Sequence, residues 1–345
     1  MTLSRKPVET IRSFLEQALV SVGTPLLQAQ RVADVLLEAD MCGMYSHGMA
    51  RLARYLKAIE SGEVDVFAQP ELMRQQGAVA RVDAHHGFGQ VAGVFAMDTA
   101  TALAKEYGLG MVTVCHSSHF GIAGYYASRA APDMIGIAMT NTSPLMVPTG
   151  GKKSVLGTNP IAVCVPHEAE PWLMDFSTSA VSRGKIEVCD REGTALEPGW
   201  AVDGNGEPCL NPRQVLDILA KRLDGGIAPM AGYKGYGLSA LVDIFCGVLS
   251  GSGFGLDVGK AGPGNVGHCF LAIDIGRFMP RDLFASRMQS FCTSLTQSSA
   301  PNKRVYLHGE LESMARVESV KQGIVVAPET DALMRLIAQE RKLTW

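Results

Sequence analysis

Apolar residues recur with a 3.6-residue period over Val8 to Val22 and again over Pro25 to Met44, which predicts two amphipathic helices. A third is expected from Ser46 to about Ser61-Gly62. From about residue 77 the pattern changes. Ala78 to Val82 reads as a short strand, Gly89 to Tyr107 as a helix, Gly110 to Cys115 as a strand and Gly121 to Ala131 as a helix. Ile135 to Thr140, Ile161 to Val165 and Trp172 to Phe176 read as further strands. Residues 184–212 are punctuated by Gly and Pro and read as loops. Lys234 to Leu249 is nearly all apolar, which predicts a buried helix. Residues 250–267 hold seven Gly in an irregular loop, followed by a strand over His268 to Ile275. Ile324 to Ala327 and Glu329 to Arg341 close the chain as strand and helix, and no internal repeat is present.

Composition narrows the class. The chain has 345 residues, 47% hydrophobic and 19% charged, with 37 Gly, enough for two or three domains with large cores. A net charge of -3 without a basic tract argues against nucleic acid as a partner. The start, Met1-Thr2-Leu3-Ser4-Arg5-Lys6, leads into no apolar signal region, and the most apolar run, Leu238 to Leu249, is too short to span a bilayer and contains Asp243. The eight Cys are scattered without C-x-x-C, as reduced thiols of a cytoplasmic protein would be, and no metal site is expected.

Candidate chemistry clusters first at Tyr45-Ser46-His47-Gly48-Met49-Ala50-Arg51. If Ser46 caps a helix, His47, Arg51 and Tyr55 share one face: a proton exchanger, a carboxylate clamp and a phenol. A solvated helix face is the competing reading. Gly87-Phe88-Gly89-Gln90-Val91-Ala92 fits a dinucleotide fingerprint between strand and helix. The next strand, however, ends in Cys115-His116 where a ribose-binding acid is needed, so a tight strand-to-helix turn is the better account. His116-Ser117-Ser118-His119-Phe120-Gly121 follows a strand and opens a helix, a place for an anion, a metal pair or packed histidines. Thr140 to Pro144, Gly157 to Pro160 and Asp175 to Ser179 lie at strand ends and suit ligands or polar turns. Lys234 sits at a predicted helix N-terminus, where a lysine is out of place unless it meets an anion.

Together these segments resemble the malate/L-lactate dehydrogenase family over nearly the whole chain. The likeness rests on Ser46-His47-Gly48-x-x-Arg51, Gly157-Thr158-Asn159-Pro160, Asp175-Phe176-Ser177-Thr178-Ser179, Gly184-Lys185, Gly199-Trp200-Ala201-x-Asp203 and Lys234-Gly235-Tyr236-Gly237, in the family's order. The resemblance implies an α/β, non-Rossmann, sulfolactate-dehydrogenase-like fold: a mixed-sheet cofactor domain plus a helical N-terminal region packed with C-terminal segments. It implies a helical region over 1–65, a discontinuous substrate and dimerisation domain over 70–120 with 235–345, and an NAD(P)-binding domain over 121–234. The implied activity is reduction of a 2-oxo acid with NADH or NADPH, the choice being open, with cyclic 2-imino acids as the alternative substrates. By resemblance His47 donates the proton, supported by Ser46, and His119 is a second acid/base. Arg51, Tyr55, Thr158, Arg183, Gly184 and Lys185 are implied at the substrate, and Lys185 fits the hydroxy-acid branch. His119, Phe120, Gly121, Thr142, Asp175, Phe176, Ser177, Tyr233, Lys234, Arg304, Tyr306, His308 and Gly309 are implied at the cofactor. The partner is implied to be a second copy of the chain, in a homodimer with shared active sites. A non-catalytic small-anion binder is the rival from another class; it has no use for a proton donor.

Overall fold

The structure is a computed structural model that describes residues 4–168, 170–260 and 262–345. The chain opens with β1 (Ser4–Lys6), α1 (Val8–Val20), α2 (Leu26–Met41) and α3 (Leu52–Glu60). Next come β2 (Glu71–Gln76), β3 (Val79–Asp83), α4 (Gly89–Tyr107), β4 (Leu109–Ser117), α5 (Ala123–Ser128), β5 (Met134–Thr140), β6 (Ile161–Val165) and β7 (Trp172–Phe176). A smaller lobe follows with α6 (Arg183–Glu192), β8 (Ala201–Val202), α7 (Pro212–Lys221) and β9 (Gly226–Ile227). The rest is α8 (Tyr233–Asp243), β10 (Val266–Asp274), α9 (Arg281–Gln297), α10 (Glu310–Gln322), β11 (Ile324–Val326) and α11 (Pro328–Arg341).

Seven strands form one mixed sheet in the order β2-β3-β4-β10-β5-β6-β7. Only β3 and β4 run parallel, joined by α4; the other neighbours are antiparallel. The Gly87–Gly89 turn that opens α4 is a packing device, as expected: a Cβ at Gly89 would collide with the Ser118 carbonyl oxygen. Alternation along β10 divides two cores. Phe270 and Ala272 join the core under α4 and α5, while Cys269 lies in a second cluster with Met139, Val242 and Cys246. The N-terminal helices form a third core with α11. Ile11, Phe14, Leu15, Ala18 and Leu19 of α1 repeat at helical spacing and are buried. β1 pairs antiparallel with β11, which ties the two ends of the chain together. Val181, Ile186, Ala201, Val215 and Ile227 make the small lobe's own core.

Four expectations need correction. The helix from Ser46 is two short 3₁₀ turns, Tyr45–His47 and Met49–Arg51, broken at Gly48, before α3 begins at Leu52. The break is steric, because a Cβ at Gly48 would collide with the Asp40 carboxylate, which also accepts the Met49 N–H at 2.7 Å. Ser46 therefore caps nothing. The helix after His119 is confined to Ala123–Ser128. Residues 183–192 are helical, capped by Ser182, whose hydroxyl accepts the Lys185 N–H. Finally, the apolar run 234–249 is not buried. α8 passes into a π-helical turn, Ile244–Leu249, and Tyr236, Leu238, Leu241, Ile244, Val248 and Leu249 are exposed. One side packs on the sheet through Val242 and Cys246, and the other faces outward. Apolar periodicity cannot separate a core from a surface built to meet a second molecule. All eight Cys are free thiols and seven of them are buried. Among the described residues no helix is long and apolar enough to cross a membrane.

Candidate active site

The broken turn does what a continuous helix was expected to do. With Gly48 bent around Asp40, Arg51 donates from Nε to the Ser46 carbonyl at 2.6 Å, and the Ser46 hydroxyl lies 2.9 Å from His47 Nδ1. The imidazole is thus held through Nδ1, and Nε2 is left for a ligand. The second histidine arrives from the end of β4. His47 and His119 stack with ring centroids 5.9 Å apart and planes at 19°.

The tautomer of His119 follows from its partners. The Gly121 N–H, which can only donate, points to Nδ1 at 3.3 Å, and the Tyr55 hydroxyl lies 2.7 Å from the same nitrogen. Nδ1 is therefore the acceptor, Tyr55 donates to it, and the ring proton sits on Nε2. Tyr55 is buried, and its hydroxyl serves His119. Next to it Gln90 is fully buried and faces the Tyr55 hydroxyl, with no hydrogen bond of good geometry to either amide atom among the described residues.

Electrostatics here has one sign. Burial first, then the charges of Arg51 and Arg54, push the His47 pKa down to about 4. Burial, Arg54 and His47 hold His119 well below the usual histidine range. Burial and Arg54 lower even the Arg51 guanidinium. Among the described residues neither Arg51 nor Arg54 is ion-paired, whereas Arg183 is engaged by Glu187 at 2.9 Å. Two neutral imidazoles thus stand beside Arg51, which feels Glu187 without an ion pair to it, and the solvent-exposed Arg54, an environment that suits an anion. Asp40, buried behind the turn, has its pKa raised to about 7 by burial, against the stabilising Met49 N–H.

The small lobe closes on this site through the start of α6. Gly184 packs against Ser46: a Cβ added there would lie 3.6 Å from Ser46 Cβ. Lys185 is exposed on the same turn. Thr158 and Thr142 form a second wall. The Thr158 N–H donates to Thr142 Oγ1 at 3.0 Å, and the Thr142 N–H donates to Asn159 Oδ1 at 3.0 Å. Asn159 is fully buried, has φ +37°, and donates to the Ser239 carbonyl in α8. Asn141 donates to Asp243 at 2.9 Å. These two amides lock the Thr142 loop to the helix that begins at Tyr233-Lys234. Lys234 itself is exposed and without a partner among the described residues.

The other residues implied at a cofactor divide in two. Asp175, Tyr306, His308 and Gly309 line one cleft of ≈ 210 Å³ with Met44 and Glu312. Asp175 accepts the Gly124 N–H at 2.7 Å, and burial raises its pKa to about 6. The His308 carbonyl accepts the Leu173 N–H at 3.1 Å, and Gly309 presses its backbone on Leu173 at φ +87°. A carboxylate with a free oxygen, two rings and a bare backbone edge fit one polar, aromatic end of a nucleotide. Met44 joins this cleft to the turn that carries His47, whose N–H bonds the Met44 carbonyl. Phe120 is different: its ring is in the core, stacked on Tyr126 and His268, out of a ligand's reach. Phe176 is half-buried at the end of β7, and the Ser177 hydroxyl is bonded to that of Ser179. Arg304 is ion-paired to Glu310 and lies over the Tyr306 ring. His116 does not pair with His119. It bonds Asp83 at 3.0 Å on the far side of the loop, where Asp83, Cys115 and His116 make the one group of metal-capable side chains among the described residues.

Sequence reading missed Asp40, Arg54, Gln90 and the Asn141–Asn159–Asp243 hub. Arg54, three residues after Arg51, was the one with a local signal.

A profile of the family described as malate/L-lactate dehydrogenase matches residues 7–334. The chain belongs to this family. It is accordingly an NAD(P)-dependent oxidoreductase. It is 40% identical over 328 residues to a malate dehydrogenase of Pyrococcus abyssi, covering 93% of this chain and 91% of that one. It is 35% identical over 344 residues to a malate/(S)-sulfolactate dehydrogenase of Methanothermus fervidus, covering 98% of each. The crystal structure of malate dehydrogenase from Entamoeba histolytica superposes with a TM-score of 0.95 at 32% identity, over 100% of this chain and 99% of that one.

Proposed function

We propose that the protein interconverts a small 2-hydroxy acid, of the malate or lactate type, and its 2-oxo acid. The observation that carries this reading is the pair of stacked, neutral imidazoles beside two guanidiniums that have no ion-paired carboxylate among the described residues. Arg51 holds the substrate carboxylate, which places the C2 oxygen at His47. The relatives described above are malate and sulfolactate dehydrogenases, and the free charge of Arg54 suits the second anionic group that both of those substrates carry. A cyclic 2-imino acid has a single carboxylate and, like lactate, leaves Arg54 unanswered, so the malate type is favoured within the hydroxy acids.

In the oxidative direction the hydroxyl proton passes to His47 Nε2 as C2 gives up a hydride. The neutral state of His47 is the state a base requires. A bound nicotinamide supplies the acceptor of that hydride, or its donor in reverse. In the reductive direction His47 must enter protonated. An anion on Arg51 and Arg54 offsets the part of the His47 depression that their charges cause, the larger part coming from burial, and so moves its pKa up towards holding the proton. The Nε2–H of His119 donates to the same oxygen and stabilises charge there.

Asp175, Tyr306, His308 and Gly309 would hold one end of the cofactor, with Thr142, Ser177 and Lys234 along its length. Asp175 and Glu312 make that cleft acidic, and Arg304 is tied to Glu310, which favours NADH over the 2′-phosphorylated form. The exposed apolar face of α8 and its π-helical turn is the surface we assign to a homodimer. The test is consumption of NADH and NADPH over C3 and C4 2-oxo acids, a sulfonated 2-oxo acid and the two cyclic imines, Δ1-pyrroline- and Δ1-piperideine-2-carboxylate. Turnover fastest on a dianionic 2-oxo acid is expected. Turnover of the imines alone would overturn the reading.

A further inference from the structure

β10 places one histidine at the junction of these two walls. His268 is fully buried, and its ring stacks on Phe120 with centroids 4.6 Å apart and planes 6° apart. Its Nδ1 lies 2.8 Å from Thr140 Oγ1 and its Nε2 lies 2.8 Å from Ser117 Oγ. The Thr140 hydroxyl proton is directed at the carbonyls of Gly267 and Asn141, both at 3.1 Å, so its oxygen is free to accept. With the ring proton on Nδ1, Thr140 accepts it and the Ser117 hydroxyl donates to Nε2, so both hydroxyls are satisfied. The ring holds two chain segments at a fixed separation. Ser117 stands two residues before His119, and Thr140 stands two before Thr142. Phe120, clamped under the ring, is the neighbour of His119.

A stability role alone gives no reason for this choice, since an apolar ring with matching apolar partners fills such a space without burying polar atoms. We propose that His268 is a positioning residue: it sets the His119 loop against the Thr140–Thr142 loop and so fixes the proton-handling rings relative to the cofactor wall. This rests on the function proposed above, in which one loop carries a proton-handling ring and the other part of the cofactor wall.

The test compares His268→Phe, which keeps the stack, with Ser117→Ala and Thr140→Val, which remove one bond each and guard against misfolding of the first. Imidazole ¹⁵N chemical shifts of His119 report its tautomer without any turnover. Thermal stability, the NADH Kd, kcat and the isotope effect with deuterated NADH are read on the same samples. Expected are a shift of His119 away from pure Nε2–H, a 10- to 100-fold fall in kcat, a larger isotope effect, and an NADH Kd within threefold of wild type. Unchanged His119 shifts, or a kcat within threefold of wild type in His268→Phe, would overturn the proposal, as would losses confined to thermal stability. If His119→Ala and His47→Ala retain full turnover, the functional reading fails instead. The ¹⁵N shifts then decide alone whether His268 fixes His119.

Discussion

The molecule holds two histidine groups whose members interleave along the sequence, His47 with His119 and His85 and His86 with His116, and they differ in almost every physical respect. His47 and His119 stack in a half-buried recess, beside Arg51 and Arg54, with hydroxyls on their Nδ1 atoms. His85, His86 and His116 lie across the loop. His85 and His116 bond Asp83, His85 also faces Glu71 at 3.1 Å, and all three take left-handed backbone at φ +49°, +61° and +49°. Burial, together with the charges of Arg51 and Arg54, keeps the first pair neutral. In the second group, burial works against Asp83 ionising, but the His85 N–H and the His116 ring outweigh it and lower its pKa. The lesson is that histidine count and spacing mark a region, while burial and the sign of the surrounding charge decide how each ring holds its proton.

The sharpest break between the two groups is kinetic. His47→Ala should lower kcat by about 10²–10⁴-fold, the usual worth of a general acid or base, while His116→Ala stays within about threefold. Steady-state rates followed at the cofactor's absorbance check both, and an equal loss in the two variants would erase the distinction. Arg51→Lys should raise KM by an amount equivalent to about 1.5–3 kcal/mol with a smaller change in kcat, because an ammonium cannot reproduce a bidentate clamp. A wild-type KM would detach the guanidinium from the substrate.

Stability against pH sharpens the contrast further. The pKa of Asp40 is raised from 3.8 to about 7, so the native state holds more protons than the unfolded one between those values, and stability falls as pH rises through that window. Asp40→Asn should therefore gain on the order of 2 kcal/mol over wild type at pH 8 and little at pH 4, as judged by urea titration. His47 works in the opposite direction. Its pKa is lowered from 6.5 to about 4, the unfolded state binds the proton first, and stability is lost as pH falls from 6.5 towards 4. His47→Gln should flatten that limb. The smallest effect belongs to Asp83→Asn. The native pKa of Asp83 is depressed, so it stabilises above the ordinary carboxylate value and loses that contribution only in more acid solution, below the His47 window. The variant should match wild type at pH 4–6.5 in the slope of stability against pH.

Much of this was legible in the chain. The strands Ile161–Val165 and Trp172–Phe176 and the helix Gly89–Tyr107 match their apolar patterns end to end, and the Ser46-His47-x-x-x-Arg51 grouping pointed to the recess that His47 shares with His119. The turn at Gly48 was not legible. Its cause is Asp40, eight residues upstream, whose carboxylate occupies the space a side chain would need. Nor was the exposed side of 234–249, because an apolar residue is written the same way whether its neighbour is its own core or another molecule. α9 gave little signal for a related reason: among its described residues only Cys292 is buried, so no stripe marks it.

Local rules of backbone and hydrophobic period are short-ranged, and the sequence by itself determined what obeys them: most elements, the strand-to-helix turn at Gly87–Gly89, and the residue types gathered for acid–base and anion chemistry. Only the tertiary structure decided which charges face which imidazoles. It set His119 against His47 across 72 residues, left Arg51 and Arg54 without an ion pair among the described residues, and gave Asp83 to His116. A proton affinity is the sum of desolvation and neighbouring charge, and both are properties of the space around a group rather than of its place in the chain.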